Sequence, residues 1–134
     1  MNTRCTASAS KTAPCPVNGK LYKQVKRKTI FHQVAKPWSH SLPEQAYYYC
    51  DDPKCDVVYF GEDKSLITTN EMRLDTDTYK NTLCFCFDVS IHDLKNNKEL
   101  CKSFVTDQTR QSTCDCEIRN PSGKCCLKDF KKYN

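Results

Sequence analysis

Four cysteines lie within the stretch CDCEIRNPSGKCC, residues 114–126. Adjacent Cα atoms are about 3.8 Å apart, less than the roughly 4.4 Å that a relaxed disulfide requires, so Cys125 and Cys126 are not expected to pair with each other. Cys114 and Cys116 are two residues apart, and in an extended loop their side chains point the same way. The stretch therefore predicts thiols that converge on an object outside the chain.

The expected reducing compartment and the small hydrophobic core both favour stabilisation of the chain by bound metal. The chain has 134 residues, of which 11 are cysteine and only 38% are hydrophobic. Its first sixteen residues contain no apolar signal-peptide core, and no apolar run reaches the ~18 residues of a membrane span. In the reducing cytosol, clustered cysteines more often bind metal or do redox chemistry than form structural disulfides. We predict a cytoplasmic chain that is not membrane-embedded and is stabilised by metal.

The net charge of +5 is weak evidence for a nucleic-acid partner. Two four-cysteine metal sites would each add about −2 and leave the chain near +1. Tyrosines 47–49 near the basic run 26–28 could suggest base stacking, but strand packing explains them more simply. We predict no nucleic-acid partner. The chain also shows no Ser-His-Asp or Cys-His arrangement and no phosphate-binding glycine loop, so we do not expect an enzyme.

The secondary-structure signals predict an α+β fold. A short helix begins at Thr29 and stops at Pro37, and a capping box at Ser90 opens a longer one over residues 90–107. A terminal helix starts at the cysteine pair 125–126. Between the helices, β-branched and aromatic runs predict three strands and a polar connection, at 47–50, 55–61, 66–69 and 75–80.

Spacing predicts a zinc site in the first half of the chain. Cys50 and Cys55 flank a turn between two predicted strands, and Cys15 lies between turn signals. Structural zinc sites are closed tetrahedra of cysteine and histidine. The adjacent Cys125 and Cys126 face different directions at about 100° per helical residue, so Cys125 is free to supply the fourth ligand.

Spacing predicts a second site in the other half. Cys84 and Cys86 are separated by one residue, and Cys116 and Cys126 follow beyond the predicted long helix. Four thiolates are what a [2Fe-2S] cluster needs, although the spacing is equally compatible with a second zinc ion. We therefore divide the chain into a tail (1–13), a zinc-binding β-hairpin lobe (14–80) and a helical [2Fe-2S] lobe (81–134) within one compact domain.

Four motifs together resemble the N-terminal zinc and [2Fe-2S] domain of CopZ-type copper chaperones, which also occurs as a stand-alone iron-sulfur metallochaperone. They are CPVNGK, YYYCDDPKCDVVYF, CFCF and CEIRNPSGKCCL, and the resemblance covers about residues 14–130. The second half resembles more loosely the bacterioferritin-associated ferredoxin fold.

The resemblance implies ligands as well as a function. It implies [2Fe-2S] ligation by Cys84, Cys86, Cys116 and Cys126, and zinc ligation by Cys15, Cys50, Cys55 and either Cys125 or Cys114. Cys114 is also the candidate exchangeable copper(I) thiolate. Cys101 is expected in the helical core, and Cys5 is an incidental thiol of the tail.

One departure from the resemblance leaves two functions open. Copper chaperones of this kind add a domain with an M-x-C-x-x-C loop, and this sequence has no C-x-x-C. Either the chain handles copper or another heavy metal beside a copper-transporting ATPase or a separate heavy-metal-associated domain, or it is an electron-transfer or redox-sensing protein without cargo.

Overall fold

A five-stranded antiparallel sheet forms the first half of the computed structural model, which describes residues 12–130. The strands follow one another in space in the same order as in the chain. They are β1 (Thr12–Pro14), β2 (Leu21–Val25), β3 (Tyr47–Tyr49), β4 (Val57–Gly61) and β5 (Leu66–Thr68). Each strand pairs with its sequence neighbour, so the sheet is an antiparallel meander.

The predicted strands at 47–50, 55–61 and 66–69 are confirmed as β3, β4 and β5. In the β3–β4 pairing Tyr47 lies opposite Gly61 and Tyr49 lies opposite Tyr59. Strand β4 is buried along its whole length, because two different clusters of side chains cover it. A continuous apolar run is typical of a strand covered in this way.

The predicted short helix is confirmed as α1 (Arg27–Gln33), beginning two residues before the expected Thr29. Ile30 and Val34 are fully buried against the sheet. Pro37 begins a short 3₁₀ turn (Pro37–Ser39), and another 3₁₀ turn (Thr69–Glu71) follows β5.

The polar connection predicted at 75–80 is present, but the sequence did not predict that it is helical. This stretch forms helix α2 (Thr76–Asn81), which has no fully buried side chain. The Asp75 carboxylate accepts a hydrogen bond from the backbone N–H of Thr78 at 3.3 Å and caps the helix. A short polar helix has no apolar period, so the pattern did not reveal it.

The second half of the chain contains two short strands and several helices around its own core. The strands are β6 (Thr82–Cys84) and β7 (Val89–Ser90), and the helices are α3 (Ile91–Asn96), α4 (Lys98–Arg110), α5 (Cys116–Arg119) and α6 (Leu127–Phe130). Buried side chains of this core come from strands and helices alike: Leu83, Cys84, Val89, Leu94, Val105, Cys126 and Phe130.

The prediction of one helix over 90–107 was wrong in its continuity. The capping box at Ser90 and Asp93 is present, but the helix is interrupted at Asn97, whose φ and ψ are −136° and 46°. The Asn97 N–H closes α3 by bonding to the Asp93 carbonyl, and the Asn97 carbonyl accepts from Cys101 in α4. Val105 of α4 is buried in the helical core, whereas the adjacent Phe104 is 48% exposed.

The observed architecture is α+β, as predicted. We refer to residues 12–81 as the sheet lobe and residues 82–130 as the helical lobe. The predicted tail, with Cys5, lies outside the described residues except for Thr12 and Ala13, which belong to β1. Within 12–130, no helix is both long enough and apolar enough to span a membrane.

Candidate metal centres

The first thiol group lies in the sheet lobe and consists of Cys15, Cys50 and Cys55. Their Sγ atoms all lie within 4.8 Å of one another, and all three residues are buried. None of them forms a disulfide. Among the described residues, no histidine or carboxylate joins this group. Three buried sulfurs at this separation are the donor set that zinc prefers, so the residues present fit three of the four positions of a structural site.

Two tight turns hold the first group. After Cys15, the N–H of Gly19 returns to the Cys15 carbonyl at 2.8 Å and Gly19 adopts φ +76°, a conformation that glycine accepts without strain. In the β3–β4 connection, the N–H of Cys55 bonds to the Asp52 carbonyl at 3.0 Å. The Cys50 N–H extends the strand pairing through the Val58 carbonyl, at 2.8 Å. The position of each thiol is therefore fixed by local backbone geometry.

The electrostatics of this group favour a bound cation. Burial raises the pKa of Cys50 to about 11, despite hydrogen bonds from the Asp52 backbone N–H and the Tyr22 hydroxyl, and the neighbouring Cys15 raises it further. At Cys15, burial also opposes ionisation, but backbone N–H groups of Asn18 and Val17 bring the pKa below its ordinary value. Three adjacent thiolates repel one another unless a cation neutralises them.

Sequence reasoning missed two side chains that contact this group. The Asn18 side-chain amide donates to the Cys50 sulfur at 3.4 Å and to the Tyr22 hydroxyl at 3.0 Å. Asn18 and Tyr22 both donate hydrogen bonds to the Cys50 sulfur. Hydrogen bonds of this kind orient a metal ligand and tune its electronic properties. In the sequence, Asn18 followed by Gly19 is only a turn signal. The alternation in β2, which places Tyr22 toward the cysteines, was the available signal.

The second thiol group lies in the helical lobe and consists of two pairs. The Sγ atoms of Cys86 and Cys116 are 3.5 Å apart. The thiols of Cys84 and Cys126 are hydrogen-bonded to each other, and both residues are buried. The Cys126 backbone N–H also reaches the Cys116 sulfur. The structure thus brings together the four cysteines that the sequence assigns to the cluster; their role as ligands remains a prediction.

Neighbouring thiols of the second group shift one another's pKa. The hydrogen bond from Cys126 lowers the pKa of Cys84 to about 7, against the effect of burial. The same hydrogen bond, together with burial, raises the pKa of Cys126. Burial and the neighbouring Cys86 raise the pKa of Cys116. Four thiolates this close to one another would repel, so a cationic centre is needed to stabilise them together.

Cys125 does not lie in the first thiol group, although the sequence assigned it there. It is half-buried, two residues before α6 and next to Cys126, which belongs to the helical core. A charge on the Cys125 sulfur raises the pKa of Cys126. The fourth zinc ligand therefore stays a prediction.

Two other cysteines flank the helical-lobe site. Cys114, the alternative zinc ligand, is half-buried beside the second group, where its charge raises the pKa of Cys86 and Cys116. Cys101 is half-buried and packs against the helical core, with its sulfur 3.8 Å from the Asp93 carbonyl oxygen. This position agrees with the interpretation of Cys101 as a core residue.

A cleft of about 510 Å³ is lined by residues of both lobes. Cys50 and Cys55 lie on its sheet-lobe side, and Phe85, between Cys84 and Cys86, lies on its helical-lobe side. Phe85 also contacts Tyr79 of α2, with the ring centres 6.2 Å apart. Two cysteines of the first group therefore line this cleft, and the second group is represented there by Phe85, the residue between two of its cysteines.

The first thiol group lies in a part of the chain that matches a known protein family. Residues 12–73 match the model of the zf_CopZ family, described as a zinc binding domain. This match contains all three cysteines of the first group. The crystal structure of the Archaeoglobus fulgidus CopZ N-terminal domain is similar, with a TM-score of 0.70 and 23% identity, over 90% of this chain and 96% of that one. The chain has the fold of a CopZ-type N-terminal domain.

The CopZ-type resemblance drawn from the sequence is confirmed by these matches. Residues 12–73 are similar to a zinc binding domain of this type, and the buried three-cysteine group is the metal-binding candidate within them. The structural likeness extends the common fold to the helical lobe, beyond the residues that the family model covers. No curated protein matches the sequence.

Proposed function

We propose that the chain is an intracellular metallochaperone that binds one zinc ion and one [2Fe-2S] cluster and takes part in copper or other heavy-metal handling. The observation behind this proposal is the presence of two separate thiol groups in one small CopZ-type fold, one with three sulfurs and one with four. Zinc supplies stability to the sheet lobe, and the cluster supplies one-electron chemistry when bound.

Cys84, Cys86, Cys116 and Cys126 are the proposed cluster ligands. Their Sγ atoms come from three chain segments, and the two pairs are linked by the Cys126 N–H contact to Cys116. Cys84 and Cys126 are buried, whereas Cys86 and Cys116 are half-buried. Such a set shields one side of a bound group from water and leaves the other side close to the surface, as electron exchange with a partner requires.

Cys114 is the proposed exchangeable copper(I) thiolate. It is half-buried, lies beside Cys86 and Cys116 and is not one of the four proposed cluster ligands. Copper(I) is soft and prefers thiolates, so it passes between proteins through shared sulfur ligands. The proposed exchange partner is a copper-transporting ATPase or a separate heavy-metal-associated domain. We assign no catalytic activity to the chain.

The second candidate is an electron-transfer or redox-sensing protein without cargo metal. The observation that favours this alternative is the position of Cys86 and Cys116, which are half-buried with their Sγ atoms 3.5 Å apart and would place a bound cluster close to the surface, as electron exchange requires.

Anaerobic purification followed by visible absorption and analysis of iron, sulfide and zinc tests the proposal. We expect a reddish-brown protein with about two iron, two sulfide and one zinc per chain. A colourless protein with about two zinc ions and no sulfide would contradict the cluster assignment.

Copper(I) competition with a chromogenic chelator then separates the two candidates. We expect Cys114→Ala to weaken copper(I) binding, and Cys101→Ala, a matched change at a core thiol, to leave it unchanged. A reversible cluster potential without any copper(I) binding would instead favour the electron-transfer protein.

A further inference from the structure

The segment that connects the proposed cluster ligands rests on the other lobe. Residues 117–123, here called the bridging segment, begin directly after Cys116 and end two residues before Cys125 and three before Cys126. The segment includes most of α5 and the turn that follows. Helix α5 packs mainly against α1 of the sheet lobe. Two of the four proposed cluster ligands are therefore attached to a segment that the sheet lobe supports.

Three buried side chains of the sheet lobe donate hydrogen bonds to the backbone of this segment. The Thr29 hydroxyl donates to the Glu117 carbonyl at 2.6 Å. The Gln33 side-chain amide donates to two carbonyls, those of Ile118 at 2.6 Å and Arg119 at 2.8 Å. The Tyr59 hydroxyl donates to the Pro121 carbonyl at 2.5 Å. A mobile loop would not have each of these carbonyls paired to a fixed buried donor.

The donors are rigid because each belongs to a regular element of the sheet lobe. Thr29 and Gln33 are one helical turn apart on α1, and Tyr59 lies in the fully buried strand β4. Thr29 and Tyr59 have no exposed surface, and Gln33 is 7% exposed. A buried donor that loses its acceptor is strongly unfavourable, so the pairing fixes the segment against the sheet lobe.

Close packing reinforces these bonds. Gly123 adopts φ +74°, and a Cβ atom there would lie 2.9 Å from the Thr29 hydroxyl oxygen. The backbone thus approaches α1 more closely than any side chain permits. Glu117 adds ion pairs with Lys26 at 2.7 Å and Lys28 at 3.1 Å on the surface.

We propose that Thr29, Gln33 and Tyr59 are positioning residues for the cluster site. Through the bridging segment, the sheet lobe sets the placement of Cys116 and Cys126. This inference rests on the proposed function, because it takes those cysteines as cluster ligands. The sheet lobe then acts as a template for a site that contains none of its own thiols, and the properties of the cluster depend on residues that do not contact it.

The test compares two tyrosine variants of the full chain. Tyr59→Phe removes the hydroxyl that reaches the bridging segment. Tyr47→Phe is the matched control: Tyr47 is also a buried strand tyrosine, and its hydroxyl donates to a proline carbonyl, that of Pro43 at 2.7 Å, within the sheet lobe. Both variants lose one hydrogen bond of the same kind, so they differ in the destination of that bond.

We expect Tyr59→Phe to lose its visible cluster absorption in air about fivefold faster than the wild type, which is the effect of one lost hydrogen bond. We also expect a changed electron paramagnetic resonance spectrum of the reduced cluster, because the ligand sulfurs shift. Tyr47→Phe should match the wild type in both measurements, and both variants should retain their zinc. Gln33→Met, which removes two hydrogen bonds at similar volume, should exceed Tyr59→Phe.

Two results would overturn the inference while leaving the proposed function standing. In one, Tyr59→Phe and Gln33→Met retain the wild-type spectrum and decay rate. In the other, Tyr47→Phe alters both as much as Tyr59→Phe, so that general weakening of the sheet lobe explains the change. A colourless wild-type protein would instead defeat the cluster assignment itself, and the inference with it.

Discussion

The two thiol groups differ in how the chain builds them. In the sheet lobe, Cys15, Cys50 and Cys55 lie at two tight turns whose own backbone hydrogen bonds fix them. In the helical lobe, Cys116 and Cys126 flank a segment whose backbone is hydrogen-bonded to the sheet lobe. The first group is held by contacts within its own lobe, whereas the second depends on a segment supported by the other lobe. Disturbing local turns should therefore affect the first site, and disturbing the interface should affect the second.

The largest expected effect tests the local character of the first group. Cys55→Ser replaces one of three buried sulfurs with a poorer zinc ligand. Because bound structural zinc contributes to folding directly, we expect loss of the zinc ion and destabilisation by more than about 4 kcal/mol. Zinc analysis and thermal unfolding followed by circular dichroism measure both.

Cys101→Ser is the matched control for this change, since its sulfur belongs to neither group. It should keep the zinc and cost much less stability. Unchanged zinc content in Cys55→Ser would show that the first group is not the zinc site.

Core truncations in the two lobes test whether the lobes are separable. Ile30→Ala in the sheet lobe and Leu94→Ala in the helical lobe each remove a fully buried aliphatic side chain, at an expected cost of about 2–5 kcal/mol. If the bridging segment couples the lobes, each variant should unfold in urea in one transition by circular dichroism. Two separated transitions would show that the lobes are independent and that the comparison is one of two domains.

Glycine substitutions sharpen the contrast between turn and interface. Gly123→Ala introduces both left-handed strain and a collision with Thr29, so we expect a cost of about 1–3 kcal/mol. Gly19→Ala has the same left-handed strain at φ +76° but no atom within 4 Å of the new Cβ. It should cost less in urea unfolding. Equal costs would show that the close approach of the bridging segment to α1 contributes nothing.

The smallest expected effect concerns the surface ion pairs. Hydrogen bonds and charge from Lys26 and Lys28 lower the pKa of Glu117. A lowered pKa in the folded state contributes stability above the ordinary value near 4.5, and this contribution disappears as the pH falls through the lowered pKa. At pH 7, Glu117→Gln should therefore slightly reduce the urea midpoint at low salt, and 1 M salt should abolish the difference. A difference that persists in high salt would assign Glu117 a role other than charge pairing.

The features that could be predicted from the sequence are those with local signals. The β3–β4 hairpin was predicted with its flanking cysteines, because β-branched and aromatic runs around a proline turn are local signals. The capping box at Ser90 was local too. The break at Asn97 and the polar helix α2 were not predicted, since neither changes the apolar period enough to be visible.

The contacts between lobes had no sequence signal at all. Nothing in the spacing links Gln33 to the carbonyl of Ile118, because the two are eighty-five residues apart. A buried glutamine in a helix is an ordinary polar residue in the sequence. Similarly, Cys125 was assigned by its adjacency to Cys126, but adjacency fixes only that the two differ in direction, not which one reaches the sheet lobe.

The position of the bridging segment in the chain has a consequence for biogenesis. During synthesis, the sheet lobe with its three thiols is complete before the helical lobe emerges, whereas Cys126 and the segment before it are among the last described residues to leave the ribosome. Protein units generally fold in the order of their synthesis. We therefore expect the two metal sites to form one after the other. The sheet lobe folds first, and the late-emerging segment then docks onto it before any cluster is assembled.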